Sequence, residues 1–552
     1  MSALRANVAD VKEDVWIHTS CGACYAQCGI KAHRVDGVIV DLEGNPETPA
    51  GSGRFCSKGI AQLMTLYDRH RVNYPVKRTN PEKGVGVDPK WERITWEEAM
   101  DTILSKFKNM KDPRGTYFQA TTVATSEIRF AIPAFMRAWG FNNYWVSGGG
   151  LWCGNGAHFM NGIMHAAWSI IPDWNYNNYT IYFGCSKGHG AGHAALQSAQ
   201  WVADARARGM KAVVFDPFLS TQASKAHEWV PIRVGTDGAV ALGMINVILN
   251  EIGVWDAHYL KLKTNAPYLI KPDGHYMRDP QTNKPLIWDT EDGRAKPFDE
   301  PSIKDYALEG SCEVNGATCH PSFQLLKEHV KKNYPLDKVE KISSVPEAII
   351  RRVAHEFVEH AQIGNTITID GKELPLRPAA AIFFRGSQGH TNSGWNCLEI
   401  DLLNQIVGAS DVPGGAMGHG PPVSHGHPDT GKPETIPYPC PDGLMVVKGW
   451  VYDHKPYPLR EAKPPKRLDL QDMLPSSVYN AFTICTPEWE QYLKDFKIDY
   501  RPEIMINFGS NSVMTMANAA DVTENFLKKF NFIFSFNIYH NEFTEGVADI
   551  VL

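Results

Sequence analysis

No run of about 18 apolar residues occurs in the sequence, so nothing in it reads as a membrane-spanning helix. The opening stretch MSALRANVADVKEDVW lacks an apolar core, a small-residue cleavage site and a twin arginine. The expected location is cytoplasmic, although a mature exported chain would read the same. A basic excess is also missing: 55 Lys and Arg against 61 Asp and Glu leave −6, which excludes a general polyanion-binding surface. Nucleic acid is not an expected partner. Cysteine is sparse at eleven in 552 residues, too few for a disulfide scaffold. With 43% hydrophobic residues the chain reads as globular, and its length calls for three or four packed subdomains.

Four of the cysteines are not scattered. Cys21, Cys24 and Cys28 stand in C-G-A-C-Y-A-Q-C, and Cys56 follows after 27 further residues. A [4Fe–4S] cubane needs four thiolates converging on one point, and short spacers turn three of them inward. Gly22 and Gly29 give that turn freedom, and the fourth cysteine returns after a hairpin with Asp36-Gly37 at its turn. Structural zinc and plain structural thiols are the competing readings, but zinc usually takes two paired C-x2–4-C knuckles and the second pair is missing. Lys58, two residues past Cys56, is either a solvated surface lysine or a cation between the cluster and a second cofactor.

C-x2-C-x3-C-x27-C-x-K-G, followed by Tyr67, Asp68, Arg71, Tyr74, Pro75, Lys77 and Arg78 in Y-D-x-x-R-x-x-Y-P-x-K-R, resembles the opening of the dimethyl sulfoxide reductase family of molybdopterin oxidoreductases. The stretch from Lys77 through Ile94-Thr95-Trp96 is similar to the branch containing respiratory arsenate reductase large subunits. The resemblance implies a catalytic subunit holding a [4Fe–4S] cluster and bis-molybdopterin guanine dinucleotide with Mo or W. It also implies that Lys58 helps pass electrons between cluster and pterin.

Cys153 lies in the glycine-rich stretch S-G-G-G-L-W-C-G-N-G, just before an expected helix whose start would stabilise a thiolate. A buried inert cysteine is the plain alternative. The resemblance places the family's metal-ligating residue at this point, which makes Cys153 the expected Mo or W ligand. His158 is a candidate proton donor or a satisfied core histidine, and His189 and His193 in the next loop stand similarly.

A β-α-β unit follows. YTIYFG (179–184) is the first expected strand, a helix stops at Gly209, and KAVVFDP carries Asp216 at the carboxyl end of the next strand. The glycine pattern is not G-x-G-x-x-G, so as a dinucleotide motif it is weak. The resemblance strengthens it, implying that Gly184, Cys185, Asp216, Pro217, Gly235, Thr236 and Asp237 hold one guanosine arm of the cofactor. Ser186-Lys187 and Phe218 depart from the family pattern.

Residues 264–321 lack a helical period and are expected to be an insertion, a lid or a subunit contact, with Cys312 and Cys319 as loop thiols. Helices are expected at SFQLLKEHVKK and, with proline first, at PEAIIRRVAHEF. Thr95 with Glu98 predicts a capped helix that presents Met100, Ile103, Leu104 and Phe107 on one face. The strand PAAAIFFRG leads into a polar strip with Arg385, Gly386, Gly389, His390 and Asn392, which in the family borders the active-site funnel. Gly386 is a candidate cofactor contact, and Arg385 or His390 is placed to steer an oxyanion or to brace a loop. His419, His425 and His427 lie in a Pro-rich run without a carboxylate or cysteine framework for a metal. IMINFGSNS resembles the family's second guanosine strip, carrying Gly509, Ser510 and Asn511.

The expected fold class is α/β: a multidomain molybdopterin oxidoreductase fold with an N-terminal [4Fe–4S] domain and Rossmann-like domains. The expected spans are 1–75 for the cluster domain, 76–150 with 376–552 for a discontinuous α/β pterin-binding domain, and 151–375 for the Rossmann-like domain. The family's C-terminal motif normally runs on into a further cap domain, which is expected to be absent from this chain. Partners implied are a small-molecule substrate and an iron–sulfur electron-transfer subunit. The alternatives are a metal-free scaffold of the same fold, a non-redox hydratase and a zinc-binding interaction protein.

Overall fold

The computed structural model describes the chain except residues 1–12, 24–27, 49–52, 122–133, 137, 142, 148–156, 158, 166, 168, 189–194, 391, 420–437, 440–444, 447–488, 496 and 516–518. Two compact units result, one of residues 1–154 with 462–552 and the other of residues 155–461. Helices combined with two larger, mainly parallel sheets and several small antiparallel ones make the expected α/β class.

The first unit opens with a three-stranded antiparallel sheet, Asp14–Ser20, Gly29–Val35 and Val38–Gly44. Asp36 and Gly37 turn its hairpin with φ of 47° and 80°, the left-handed pair that a two-residue turn requires. Strand Asp14–Ser20 was not anticipated, because its residues are mostly exposed on both faces and leave no alternation to read.

Its main sheet has seven strands, in the order Trp91–Arg93, Val76–Arg78, Ile550–Val551, Phe532–Phe536, Ile504–Phe508, Thr116–Thr121 and Asn143–Ser147. The last five run parallel. Numbered by chain position among themselves they stand 2-1-3-4-5 when read from the Asn143–Ser147 edge, so the winding reverses between Thr116–Thr121 and Ile504–Phe508. Arg78 fastens the C-terminal strand: its guanidinium donates to the carbonyls of Ala548 (2.8 Å), Glu82 (3.1 Å) and Glu545. Helix Trp96–Lys108 starts at Thr95, whose hydroxyl accepts from Glu98 N–H at 3.1 Å. Ala99, Ile103 and Phe107 are buried, whereas Met100 and Leu104 are exposed. The buried face therefore runs through i, i+4 and i+8, one flank of the expected stripe.

In the second unit, strands Glu228–Val230, Lys211–Phe215, Tyr179–Phe183 and Ala379–Phe383 form an all-parallel sheet in that order. By chain position this is 3-2-1-4, the Rossmann-like order, with its reversal between Tyr179–Phe183 and Ala379–Phe383. Every residue of those two strands is buried, as expected of a sheet covered on both faces. Asn404, on helix Ser393–Ile406, completes the edge by bonding Ala381 N–H and C=O, both at 2.8 Å.

That pairing corrects the expected boundary at 375/376. Strand Ala379–Phe383 hydrogen-bonds to Tyr179–Phe183, so residues 376–461 fall with 155–375. The insertion is built of antiparallel hairpins, and Cys312 and Cys319 lie in strands rather than in loops. Pro346 is the N-cap of helix Glu347–Ala361 rather than its first residue. No helix among the described residues is long and apolar enough to cross a membrane.

Candidate cofactor sites

In the first unit the cysteine turn is closed by backbone: Cys21 N–H donates to the Cys28 carbonyl at 2.9 Å. Cys56 is the N-cap of the short helix Ser57–Ile60. Gly59 in that helix sits against the turn, and a β-carbon on it would stand 3.4 Å from Cys21 Sγ. Cys21 and Cys28 are buried and Cys56 is half-buried. Cys24 lies outside the described residues. Among the described residues no three His, Cys, Asp or Glu side chains group around a single-ion position. A cubane takes one thiolate at each of four irons, so its ligands stand wider apart than those of one ion. The Cys21–Cys28 turn, with the helix after Cys56 packed against it, fits that wider donor set. Lys58 is exposed on the same short helix.

Open parallel sheets bind ligands beyond the strand carboxyl ends where the winding reverses. At the first unit's reversal, strand Ile504–Phe508 runs into Gly509, Ser510 and Asn511. Gly509 has φ of +62°, which favours glycine, and its N–H donates to the Phe536 carbonyl at 2.8 Å. Ser510 is buried; its hydroxyl accepts from Gln119 Nε2 at 2.8 Å and its carbonyl from Asn507 Nδ2 at 2.9 Å. Asn511 is engaged by the next turn, donating to Glu542 Oε2 at 2.7 Å and accepting from Phe543 N–H at 3.2 Å. Around them Gln119 Oε1, Asn507 Oδ1 and Ser512 Oγ are buried without a hydrogen-bond partner. Orphaned buried polar atoms are costly, so these two amide oxygens and one hydroxyl fit a polar ligand that presents donors.

At the second unit's reversal, Gly184 and Gly386 touch. Gly386 N–H donates to Gly184 C=O at 2.8 Å. A β-carbon on Gly386 would lie 2.3 Å from that oxygen, and Gly184 has φ of +51°. Cys185 turns its thiol onto the Ile382 carbonyl at 3.7 Å, and burial pushes that thiol up to about 12. Its thiol is thus turned onto that carbonyl and held neutral, leaving its backbone for any ligand. Asp216 is buried at the end of Lys211–Phe215, and Pro217 beyond it is exposed.

Gly235 and Thr236 lead into helix Asp237–Asn246, and Gly235 packs against the His390 ring. Burial pushes the Asp237 carboxyl up to about 6, with His390 pulling down and Asp216 pushing up. Asn396 joins these parts, its side-chain amide nitrogen 2.9 Å from His390 Nε2 and its amide oxygen accepting from Gly238 N–H at 3.3 Å. His390 Nδ1 accepts from Asn392 N–H at 3.2 Å and Nε2 lies 3.1 Å from the Ser387 carbonyl. His390 thus braces the loop, while Arg385 is exposed with its guanidinium 5.7 Å from the Phe384 ring. Touching glycines at a reversal, with carboxylates at neighbouring strand and helix ends, fit a nucleotide-bearing cofactor.

Several buried charges escaped sequence reasoning. His165, fully buried, bridges Asp401 (3.0 Å) and Asp411 (2.9 Å), partners 236 and 246 positions away. Lys187 is wholly buried, bonded to Ser169 Oγ at 2.8 Å and to the Ile170 carbonyl, with Phe384 beneath at 5.0 Å. Burial pushes Glu399, beside Gly238, up to about 7. The one signal in the sequence was Lys187, a departure from the family pattern. Cys153, His158, His189, His193, His425, His427 and the His419 side chain lie outside the described residues.

The family model for molybdopterin oxidoreductases matches residues 71–552, and that for their Fe4S4 domain matches residues 14–68. A sulfite dehydrogenase subunit from Allochromatium vinosum is 27% identical over 457 residues, covering 77% of this chain and 44% of its own length. Acetylene hydratase of Syntrophotalea acetylenica is 30% identical over 247 residues, covering 42% of this chain and 32% of its own. The solved structure of acetylene hydratase from Pelobacter acetylenicus superposes with a TM-score of 0.61 at 22% identity. It covers 97% of this chain and 62% of that one. The chain thus spans less than half the length of these curated relatives. The chain belongs to the molybdopterin oxidoreductase family, whose cofactors are a [4Fe–4S] cluster and bis-molybdopterin guanine dinucleotide with Mo or W.

Proposed function

We propose that this chain is a catalytic part of a Mo- or W-dependent oxidoreductase, acting by two-electron oxygen-atom or hydride chemistry on a small substrate. The observation that carries this is the pair of sheet reversals, each ending in a glycine turn, together with the Cys21–Cys28 turn and the helix after Cys56 packed against it. When bound, the pterin-held metal supplies the two-electron change, and the cluster passes electrons singly to an iron–sulfur partner subunit.

Cys21, Cys24, Cys28 and Cys56 hold the cluster in this reading, and the Cys153 thiolate is the protein ligand of the metal. Lys58 lies on the electron path, and His158 is the proton donor. Gly184, Cys185, Asp216, Pro217, Gly235, Thr236, Asp237 and Gly386 hold one guanosine arm, and Gly509, Ser510 and Asn511 the other. Arg385 or His390 steers an anionic substrate, the His390 ring nitrogens also bracing the loop.

Elemental analysis of anaerobically purified protein tests the reading. About four irons and about one Mo or W per chain are expected. Iron without Mo or W in a cofactor-replete preparation would move the chain to an electron-transfer scaffold. A second reading, a non-redox hydratase, is supported by the sequence similarity to the acetylene hydratase of Syntrophotalea acetylenica. Turnover of an unsaturated substrate without any electron acceptor would select it.

A further inference from the structure

The insertion contains two cysteines that face each other across a hairpin. Strand Cys312–Val314 is the edge of a three-stranded sheet, paired antiparallel with the central strand Ala317–Pro321. Cys312 and Cys319 are direct partners in that register. The turn is Asn315-Gly316, with φ of 50° and 78°, so the register is set by a two-residue turn. Counting outward, Val314–Ala317 is a hydrogen-bonded pair, Glu313–Thr318 is not, and Cys312–Cys319 is again. Such pairs hold their Cα atoms about 5.5 Å apart, inside the roughly 4.4–6.8 Å that a disulfide spans, and closure draws the β-carbons in from about 5.5 Å toward about 4 Å, a strain that keeps the bond reducible.

Both thiols are free and buried on one face, with Leu269, Met277, Leu286 and Val314. Glu313 and Thr318 bond to each other on the exposed face. The plain reading is two small apolar side chains filling a minor core. Either thiol alone would fit that; direct opposition across an edge strand adds a covalent possibility.

We propose that Cys312 and Cys319 are a redox-active dithiol that closes to an intramolecular disulfide, stapling the edge strand to its sheet. The oxidant is an external disulfide, a small molecule or a protein. Cys312, slightly exposed at 7% on the edge strand where Cys319 is fully buried, reacts first. Its thiolate attacks one sulfur of the external disulfide, forming a mixed disulfide and expelling one thiolate. The Cys319 thiolate then attacks the Cys312 sulfur and expels the second. Two protein thiols are oxidised, one disulfide is reduced to two thiols, and the two protons pass to the departing thiolates. Burial raises both thiols, Cys312 to about 11, so closure quickens with rising pH.

The test uses the whole chain, incubated natively with glutathione disulfide, alkylated in denaturant and digested with trypsin. Residues 305–327 contain no Lys or Arg before Lys327, so one peptide carries both cysteines. The expected product is that peptide without alkyl groups and lighter by two hydrogens, restored by dithiothreitol. Hydrogen exchange in 312–319 should slow on oxidation, and Cys312→Ser should abolish the mass change. Full alkylation of both cysteines in the wild type after exposure at about pH 9, or glutathione on both, would overturn the proposal.

Discussion

Gly386 N–H donates to Gly184 C=O at 2.8 Å, and this bond joins the carboxyl ends of two strands some two hundred residues apart in sequence. The two backbones approach so closely that neither position has room for a side chain. Gly386→Ala would place a methyl 2.3 Å from the Gly184 oxygen. The expected cost is about 1–3 kcal/mol of stability, with a matching fall in pterin bound per chain. Denaturant unfolding and fluorescence of the released, oxidised pterin measure both. Unchanged stability and pterin content would remove these glycines from the site.

His165 is held between Asp401 and Asp411. Burial alone would push its imidazole down, but the two carboxylates more than reverse this and raise it to about 10. With the folded value above the unfolded one, its contribution is full below about pH 6.5 and is lost as pH rises through about 10. His165→Gln should flatten that part of the stability–pH curve. Asp401→Asn should cost about 3–5 kcal/mol near neutral pH, and Asp411→Asn less, because Asp411 is part-exposed.

Lys187 predicts the opposite slope. Burial lowers its ammonium to about 8, and among the described residues only the Cys185 and Cys397 thiols pull the other way. From about pH 8 to about 10.4 the unfolded chain binds the proton that the folded chain has released, so this group adds stability as pH rises. Lys187→Met should erase that increment in chemical denaturation run across the window. A curve unchanged by the substitution would mean that the buried ammonium keeps its proton through this range.

Cys56→Ser should lower iron per chain and bleach the cluster's visible absorbance. Lys58→Met, on the exposed side of the same short helix, should leave iron and pterin content intact while slowing reduction of the cluster by the pterin site. Stopped-flow absorbance separates the two. Loss of iron in Lys58→Met would make the lysine a structural support instead.

Local chemistry was legible in the chain itself. The cysteine spacing, the Asp36-Gly37 turn, the Thr95 cap and the apolar runs at 179–183, 211–215, 379–383 and 504–508 depend on near neighbours and on period, which a linear sequence records. Family resemblance then named the strips. Tertiary structure decided what depends on contacts between distant segments. Ala379–Phe383 joins Tyr179–Phe183 through hydrogen bonds that any apolar strand could make, so the sequence left residues 376–461 in the wrong unit. Met100 and Leu104 sit on the apolar stripe of their helix, yet packing covers only one flank of it. The same applies to charge. His165 and Lys187 look like ordinary residues until folding removes water from them and brings, or withholds, carboxylates more than two hundred positions away.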